Sequence, residues 1–436
     1  MLVAGGLATF LIAVAPAQAT PFAYVTNGVD DTVSQYDVGP GGLLAPLTPP
    51  TVASHIPLSI AVSPDGASVY ASNADSVSQY DVGPAGALTP KSPAAFAAGN
   101  NLRGVAVSPN GRSVYVVDSG QYPFTSPGSV LQYDVGPGGV LTPKSPPAVV
   151  AGLSPDAVAV GPGGHSVYVT NFDGHTVSQY GVQPTGALSA KSPSAVAAGD
   201  QPEGVAVSPD GRSVYVANTA DDNISEYDVR GGGGLTPKSS ATIGAGDYPN
   251  HLAVSPDGRS LYATNLFSNN VSQYNVRPGG ALSPKSHATV AAGHYPEGIT
   301  VSPDDRSVYV VNWISDNVSQ YDVGPRGALS PKSPAKVATG ESSLSIAVSP
   351  AGQLETTITG GPSGVTNDPT PTFWFFSSKP GSSFQCRLDS GPYSPCSSPR
   401  TTKHLADGQH TFYVRAKGPA GQVDPTPARR TFTVRP

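Results

Sequence analysis

Short runs in which apolar and polar residues alternate return along the chain at a nearly fixed distance. In one copy, Gly204–Ser208 is followed by Pro-Asp-Gly and then by the runs Ser213–Asn218 and Ile224–Val229. A tyrosine in the last run marks each copy, and these tyrosines are Tyr36, Tyr80, Tyr133, Tyr180, Tyr227, Tyr274 and Tyr321. The last four are spaced by 47 residues. Short alternating runs indicate β-strands, and repetition about every 40–50 residues predicts a β-propeller with one four-stranded blade per copy.

The order of strands within a copy follows from the turns between them. We label the strands a to d from the propeller axis outward: strand a is Gly204–Ser208, strand b follows the Pro-Asp-Gly turn, and strand d runs from Gly234 to about Gly244. Proline fixes φ and glycine accepts a left-handed backbone, so a tight turn explains Pro-Asp-Gly fully. The repeats begin with a strand b, Phe22–Asn27, and end with a lone strand a, Ile346–Ser349. These two strands predict a shared blade that closes a ring of seven.

Composition changes this picture little. The chain has 436 residues, enough for one large all-β domain and a small second one. Its 50 glycines and 46 prolines fall at fixed offsets between the strands, so they are turn residues and no sign of disorder. The net charge of −6 gives no electrostatic reason to expect binding to nucleic acid or to an anionic membrane. We expect a monomer without a cofactor.

The first residues have the pattern of an export signal. Leu2–Val14 is apolar, and Ala17-Gln18-Ala19 matches a signal-peptide cleavage site. We therefore expect residues 1–19 to be removed and the protein to be secreted or held at the cell surface. An N-terminal membrane anchor is the alternative, although the apolar run is short for a bilayer. No later stretch is long enough to span one, so no transmembrane segment is expected after signal removal.

Two short motifs in the repeats are similar to those of known propellers. Tyr24-Val25-Thr26-Asn27 resembles the repeat that names the YVTN family, and Gly234-Leu235-Thr236-Pro237 is similar to an element of the lactonase-type seven-bladed propellers. That second group includes phosphogluconolactonase and the carboxymuconate cyclases. The resemblance covers about residues 21–350 and implies a seven-bladed propeller with lactone chemistry. Similar repeats also occur in secreted and surface-layer propellers with no known chemistry.

The catalytic motif of the lactonase-type enzymes is only partly present. Those enzymes carry Gly-Pro-Arg-His before a strand a, and a glutamate after the Asn that ends strand b. The nearest match here is Tyr248-Pro249-Asn250-His251, followed by Asn265-Leu266. His251 is kept, but Asn250 replaces the anion-binding arginine and Leu266 replaces the carboxylate. Both departures weaken the case for catalysis.

The residues from about Glu355 onward differ from the repeats and predict a small β-sandwich. We expect a propeller at 20–352 and this second domain at 353–436. Strings such as Thr370-Pro371-Thr372-Phe373 resemble bacterial immunoglobulin-like modules. Cys386 and Cys396 are the only cysteines in the chain. In an exported protein, two cysteines this close in sequence predict a disulfide; a metal pair is the alternative, but two further ligands are not evident.

Because the copies align with one another, positions that differ between blades can be found within this one sequence. Two positions in the d–a loop, which opens on the central channel, vary while their surroundings hardly change. The first position holds Leu58, Arg103, Asp156, Glu203, Asn250, Glu297 and Leu344. The second holds Ser59, Gly104, Ala157, Gly204, His251, Gly298 and Ser345. The variation predicts a ligand site at one mouth of the channel, formed by Arg103, Asp156, Glu203, Asn250, His251 and Glu297.

Three uses of this mouth remain open. It could bind a sugar or another small polar molecule, its carboxylates could gather Ca²⁺, or its side chains could be solvated loop residues without a ligand. The b–c loops reach the same face and add Asp31, Asp221, Asp222, Asp316, Phe172, Phe267 and Trp313. The third copy has extra residues at Gln121–Pro127, which form either a binding lid or a neutral insertion.

The residue that ends strand b is Asn or Asp in every copy, and repetition in every blade indicates architecture. These residues are Asn27, Asn73, Asp118, Asn171, Asn218, Asn265 and Asn312. No phosphate loop, metal cluster or nucleophile motif is evident, so no catalytic or metal-binding residue is assigned. The sequence alone favours a secreted or surface propeller that binds a small polar ligand, a glycan or a protein without catalysis. The alternative is a lactonase-type hydrolase or cycloisomerase acting at the channel mouth.

Overall fold

The computed structural model contains two compact units. One unit is Pro21–Ala351, and residues from Gly352 to Pro436 belong to the other. The residues described are 21–83, 85–121, 123, 125–350, 356–377, 382–417, 423–424 and 427–435. The expected export signal at 1–19 lies outside them, as do Tyr122 and Phe124 of the insertion. Within the described residues, no helix is long and apolar enough to cross a membrane.

Strands of the first unit form seven four-stranded sheets in the described part of the chain, which confirms the predicted propeller. The a strands are Pro57–Val62, Leu102–Val107, Pro155–Val160, Pro202–Val207, Pro249–Val254, Pro296–Val301 and Ser343–Val348. The b strands are Phe22–Asn27, Ser68–Asn73, Ser113–Asp118, Ser166–Asn171, Ser213–Asn218, Ser260–Asn265 and Ser307–Asn312. The c strands are Thr32–Val38, Ser76–Val82, Pro127–Val135, Thr176–Val182, Asn223–Val229, Asn270–Val276 and Asn317–Val323. The d strands are Leu44–Ala53, Leu88–Ala97, Leu141–Leu153, Leu188–Ala197, Leu235–Gly244, Leu282–Ala291 and Leu329–Ala338. One-turn 3₁₀ segments, Pro40–Gly42, Pro137–Gly139 and Pro325–Gly327, join strands c and d in three blades.

The ring closes as the strand count predicts. Blade 1 takes strands b, c and d from residues 22–53, and its strand a is Ser343–Val348. That strand pairs antiparallel with Phe22–Asn27, with Ala23 opposite Val348 and Val25 opposite Ile346. The blades that follow in the chain are numbered 2 to 7. Closure covers the edge of Phe22–Asn27, which would otherwise be free to pair with another chain.

The hydrophobic core lies between neighbouring blades. Tyr168 and Val177 of blade 4, for example, pack in one cluster with Val214, Val216 and Tyr227 of blade 5. Each strand-b tyrosine also donates a hydrogen bond from its hydroxyl to a glycine carbonyl in the c–d loop of the next blade. The seven pairs are Tyr24–Gly86, Tyr70–Gly139, Tyr115–Gly186, Tyr168–Gly233, Tyr215–Gly280, Tyr262–Gly327 and Tyr309–Gly42. The bonds therefore run around the whole ring and give each buried hydroxyl a partner.

A second ring of hydrogen bonds uses the residue before the strand-c tyrosine. Its side-chain oxygen accepts from the backbone N–H of the leucine that begins strand d in the next blade. The acceptors are Gln35, Gln79, Gln132, Gln179, Glu226, Gln273 and Gln320. Each glutamine also donates from Nε2 to a strand-d carbonyl of its own blade, as Gln179 does to Pro193 at 3.1 Å. Blade 5 is the exception, since Glu226 has no amide nitrogen to donate.

Repeated polar residues have the structural roles that repetition implies. In blade 5 the Ser208 hydroxyl donates to Asp210 Oδ1 at 2.6 Å and accepts from the Ser213 N–H, so the Pro-Asp-Gly turn is held by its own side chains. Asn218 at the end of strand b donates to Ser225 Oγ at 2.8 Å and accepts from the Gly199 N–H at 3.1 Å. It thereby ties strand b to strand c and to the preceding loop. The prediction of an architectural role is confirmed.

The second unit has two sheets among its described residues. Strands Thr356–Gly360, Thr372–Ser377 and Arg400–Thr401 form one sheet. Strands Val365–Thr366, Ala428–Val434, Gly408–Lys417, Ser383–Leu388 and Ser394–Cys396 form the other. Phe373 stacks on Phe412 at 4.2 Å in the core between them. The predicted disulfide is present and joins Cys386 to Cys396.

Candidate active site on the propeller axis

A cavity of about 260 Å³ lies among the a strands, where the d–a loops enter them. Five of the six predicted site residues line it: Arg103, Asp156, Glu203, His251 and Glu297. Leu58 with Ser59 and Leu344 with Ser345 line the opposite side, so blades 1 and 2 supply an uncharged wall and the ionisable side chains come from blades 3 to 7. The comparison of repeats thus located a real cluster of side chains. The residues that vary between copies are those that face the axis.

Asn250 is the exception among the six predicted residues. Its side chain is buried and does not line the cavity. The amide nitrogen donates to Glu297 Oε2 at 2.8 Å, and the amide oxygen accepts from the hydroxyl of Thr264 at 2.7 Å. Asn250 therefore positions Glu297 from behind. Asn250, which stands where the family enzymes have arginine, here holds the carboxyl group of Glu297.

A glycine lets two blades approach closely at this point. A Cβ added to Gly204 would lie 2.3 Å from the carbonyl oxygen of Asn250 and 3.0 Å from the Cα of His251. No side chain fits in that space, and the absence of one brings strand a of blade 6 against strand a of blade 5. Glu203, which precedes the glycine, is thereby placed beside His251.

Glu203, His251 and Glu297 form the centre of the site. One nitrogen or oxygen atom of each lies within 4.8 Å of the others. His251 Nδ1 is 3.6 Å from Glu297 Oε2, too far for a hydrogen bond, and is buried without a hydrogen-bond partner among the described residues. The remainder of the ring is open to the cavity, since 37% of the side chain is exposed. The same three side chains are spaced closely enough to hold a metal ion.

The environment moves the pKa values of these groups in opposite directions. Burial, together with the nearby carboxylates of Asp156 and Glu297, raises the pKa of Glu203 well above its ordinary value. Burial and Asp156 raise the pKa of Glu297 to about 8, against the opposing effects of Asn250 and Arg103. Burial lowers the pKa of His251, although Asp156 opposes the shift. Burial thus favours the protonated form of both carboxyl groups and the neutral form of the imidazole, an arrangement suited to proton transfer.

Arg103 is the cation of the site. Its Nε lies 3.9 Å from Asp156 Oδ1, which is a loose ion pair, and 44% of its side chain is exposed. The backbone carbonyl of Arg103 accepts a hydrogen bond from Ser72 of the neighbouring blade, which anchors the main chain but not the guanidinium. The guanidinium can therefore turn toward a negative charge in the cavity.

The aspartates of the b–c loops have a different role from the predicted one. None of those named in the sequence lines the cavity. Instead their carboxylates accept hydrogen bonds from backbone N–H groups of the d–a loops: Ile56 to Asp31, Tyr248 to Asp222, and Ser342 to Asp316. They hold the loops that shape the cavity mouth. Comparing the repeats could not show this role, because an aspartate that holds a loop and an aspartate that binds a ligand are the same residue type in the sequence.

A larger cavity, about 950 Å³, lies between blades 5, 6 and 7. Its walls come from the a–b turns and the c–d loops, which are at the other end of the blades from the d–a loops. Two of its three acidic residues, Asp210 and Asp257, belong to the Pro-Asp-Gly turns that recur around the ring, and the third, Asp305, replaces the glycine of such a turn. Repeated turn residues mark architecture, so the axial cavity is the stronger candidate for a functional site.

A family model described as "Lactonase, 7-bladed beta-propeller" matches residues 77–354, which include every residue of the cavity except Leu58 and Ser59. The chain belongs to this lactonase family. No curated protein matches it in sequence. Family membership favours the lactonase-type alternative over a scaffold without catalysis, and it agrees with the resemblance found in the repeats.

Solved structures similar to this lactonase-family chain share its fold at low sequence identity. The periplasmic gluconolactonase of Pseudomonas aeruginosa is 19% identical with a TM-score of 0.61, over 76% of this chain and 99% of that one. A candidate 6-phosphogluconolactonase from Bacteroides fragilis is 17% identical with a TM-score of 0.63, over 77% and 99%. A protein of unknown function from Desulfotomaculum acetoxidans is 15% identical with a TM-score of 0.62, over 76% and 99%. At these identities the likeness shows the fold alone.

Proposed function

We propose that the protein hydrolyses a small lactone in the axial cavity, and that it does so as an exported protein. One observation carries the proposal: an imidazole and two carboxyl groups converge within 4.8 Å beside a cavity of about 260 Å³. A binding scaffold needs no such convergence. A hydrolase does, because attack of water on a carbonyl requires a base, and departure of the ring oxygen requires an acid.

The residues have distinct roles in this reaction. His251 takes a proton from the attacking water while its oxygen bonds to the lactone carbonyl carbon. The bond between that carbon and the ring oxygen then breaks, and Glu203 gives its proton to the departing oxygen. Glu297, held by Asn250 at 2.8 Å, places Oε2 3.6 Å from His251 Nδ1, so this oxygen dipole faces the imidazole when it gains its proton. The proton gained by His251 returns to Glu203, so lactone and water become one hydroxy acid with no other change.

Arg103 contributes the positive charge. The tetrahedral intermediate carries a negative oxygen, and a guanidinium that is only loosely paired with Asp156 can turn to meet it. The family enzymes take their cation from the position of Asn250, whereas here it comes from blade 3. The immunoglobulin-like identity of the second unit belongs to this proposal as well, since two packed sheets, one of them cross-linked by a disulfide between neighbouring strands, suit an accessory module of an exported enzyme.

A proton-release assay on the full chain tests the proposal. Glucono-1,5-lactone and 6-phosphogluconolactone are offered, and the rate is corrected for spontaneous opening. His251→Ala and Glu203→Gln should each lower kcat/KM at least a hundredfold, as expected when a positioned base or acid is lost. His287→Ala and Glu341→Gln are the matched controls, because both side chains are exposed and lie outside the cavity.

Two outcomes would change the assignment. Ligand binding without turnover would support the scaffold. Activity that a chelator abolishes and a divalent ion restores would make Glu203, His251 and Glu297 metal ligands, with the metal in place of the base.

A further inference from the structure

Four aromatic side chains form a continuous line on the face that bears the cavity mouth. Tyr248 and Tyr295 come from the d–a loops that lead into blades 6 and 7, and Phe267 and Trp313 come from the b–c loops beside them. The ring centroids are 4.8 Å apart for Tyr248–Phe267, 5.6 Å for Phe267–Tyr295 and 6.0 Å for Tyr295–Trp313. We call these four residues the aromatic line. Phe267 is 52% exposed, which is unusual for so large an apolar side chain.

The repeats show that the fold does not need these aromatics. The residue immediately before strand a has a positive φ in every blade. These residues are Ile56, Asn101, Ser154, Gln201, Tyr248, Tyr295 and Ser342, with φ between 44° and 61°. A left-handed backbone is costly for bulky residues, and small polar residues serve the same turn in three other blades. Two adjacent blades nevertheless carry tyrosine there, which points to a use for the rings themselves.

The tyrosine loops are held rigidly. The backbone N–H of Tyr248 donates to Asp222 Oδ1 at 2.8 Å, and that of Tyr295 donates to Asn269 Oδ1 at 2.9 Å. Trp313 donates from its indole nitrogen to Ser342 Oγ at 2.5 Å. Since loops and rings are fixed before any ligand arrives, little conformational entropy remains to be lost on binding.

One end of the aromatic line lies next to the cavity, on the loops that lead into two of its lining residues, His251 and Glu297. Tyr248 is three residues before His251, and Tyr295 is two residues before Glu297. Glu203 and Glu297 are close enough to Tyr248 that, after burial, they are causes of the raised pKa of its hydroxyl. The line therefore extends the cavity outward across blades 6 and 7.

Size and chemistry indicate what the extended site would hold. Pockets that enclose drug-sized ligands are about 300–1,000 Å³, so about 260 Å³ has room for roughly one sugar ring, and further rings must lie outside. A pyranose has an apolar face of C–H groups that packs on an aromatic ring, and its hydroxyls suit nearby carboxylates and amides. A protein partner would need about 800 Å² per side, far more than one half-exposed phenylalanine with its neighbours presents.

We infer that the aromatic line is a carbohydrate subsite, and that the substrate is the lactone end of a neutral oligosaccharide, with the lactone ring in the cavity and the next sugar on Phe267. The lactone part of this inference rests on the proposed function. Arg103 is paired with Asp156, so the mouth presents no surplus of positive charge to a phosphorylated substrate.

Trp313 provides a direct measurement. The chain has two tryptophans, so Trp374→Phe leaves Trp313 as the sole indole reporter. Cellotetraose, which has no lactone, is titrated into that protein carrying Glu203→Gln, and fluorescence of Trp313 should change on binding. In the active protein, cellobiono-1,5-lactone should be hydrolysed with a kcat/KM at least tenfold above that of glucono-1,5-lactone.

Phe267→Ala should remove both the fluorescence response and the preference for the longer lactone while leaving glucono-1,5-lactone hydrolysis unchanged. Phe267→Tyr should retain both. Ile314→Ala is the matched control, because Ile314 is an equally exposed apolar residue outside the aromatic line. Saccharide binding that depends on Phe267 in a protein with no lactonase activity would support the subsite and reject the proposed function. Lactonase activity with no preference for length, or with a preference that Phe267→Ala leaves intact, would overturn the subsite.

Discussion

Glu226 occupies a place in the inter-blade hydrogen bonds where the other six blades have glutamine. Its carboxylate accepts from the Leu282 N–H at 2.9 Å, as glutamine would, but it supplies no donor to strand d. The side chain is only 2% exposed, and burial raises its pKa. Glu226→Gln should therefore stabilise the propeller. It adds one neutral hydrogen bond, worth about 1 kcal/mol, and removes the cost of burying a charge.

The gain should depend on pH in a defined direction. The folded-state pKa of Glu226 lies above the unfolded value, so the folded protein holds this proton over a pH range in which the unfolded chain has lost it. Stability due to this group is thus lost as the pH rises from the unfolded pKa through the folded one. The advantage of glutamine should be smallest at pH 4, where the carboxyl is neutral in both states, and larger at pH 7.

The effect is measurable by urea denaturation at both pH values and by calorimetry. Unfolding entropy of about 2.1 cal/mol/K per residue over the propeller means that 1 kcal/mol moves its Tm by roughly 1–2 °C. Gln179→Glu in blade 4 is the reverse control and should destabilise, because it removes the bond from Gln179 to Pro193. A Glu226→Gln protein that is no more stable than the parent at pH 7, or whose gain is the same at pH 4, would refute the reasoning.

Three further predictions follow from other contacts. Gly181→Asp should stabilise by about 0.5–1 kcal/mol in urea, because Lys191 lacks the aspartate that the equivalent lysines of four other blades bind, and a Cβ at Gly181 would lie 3.6 Å from its Nζ without a clash. An unchanged midpoint would count against it. Reduction of Cys386–Cys396 should destabilise the second unit by about 2–3 kcal/mol and leave the propeller transition in place; a shift of both transitions would contradict separate cores. A chain ending before Ser343–Val348 should melt lower and aggregate, unlike one ending after Pro350, and equal melting of the two would disprove closure by that strand.

Much of the propeller could be predicted because the sequence patterns that specify its strands and turns are short and recur in every blade. Tyrosine spacing gave the blade count, and the lone Ile346–Ser349 segment gave the closure. The repeats also located the cavity, since residues that face the axis are free to differ from blade to blade. The side-chain packing inside the site could not be predicted from the sequence. The sequence does not show that Asn250 turns away from the cavity to hold Glu297, because this orientation depends on Thr264 in the neighbouring strand.

The aromatic line shows the same limit from another side. Phe267 and Trp313 stand out in the sequence as aromatic residues of the b–c loops, whereas Tyr248 stands out only as part of Tyr248-Pro249-Asn250-His251 and Tyr295 does not stand out. Their importance lies in backbone conformation, which a sequence comparison reveals only when φ is known. A usable signal existed nonetheless, since tyrosine stands in two adjacent copies where most others have a small or polar residue.

The shared blade has a consequence for the order of synthesis. Phe22 and Ser349 are hydrogen-bonded partners separated by 327 residues. At a synthesis rate of about 5–20 residues per second, roughly 15–65 seconds pass between the emergence of the first strand and that of its partner. During that interval blade 1 is a three-stranded sheet with a free edge, able to pair with the closing strand of a neighbouring copy. The yield of correctly closed rings should therefore fall as the concentration of newly made chains rises. Dimers in which two copies exchange their closing strands should form instead.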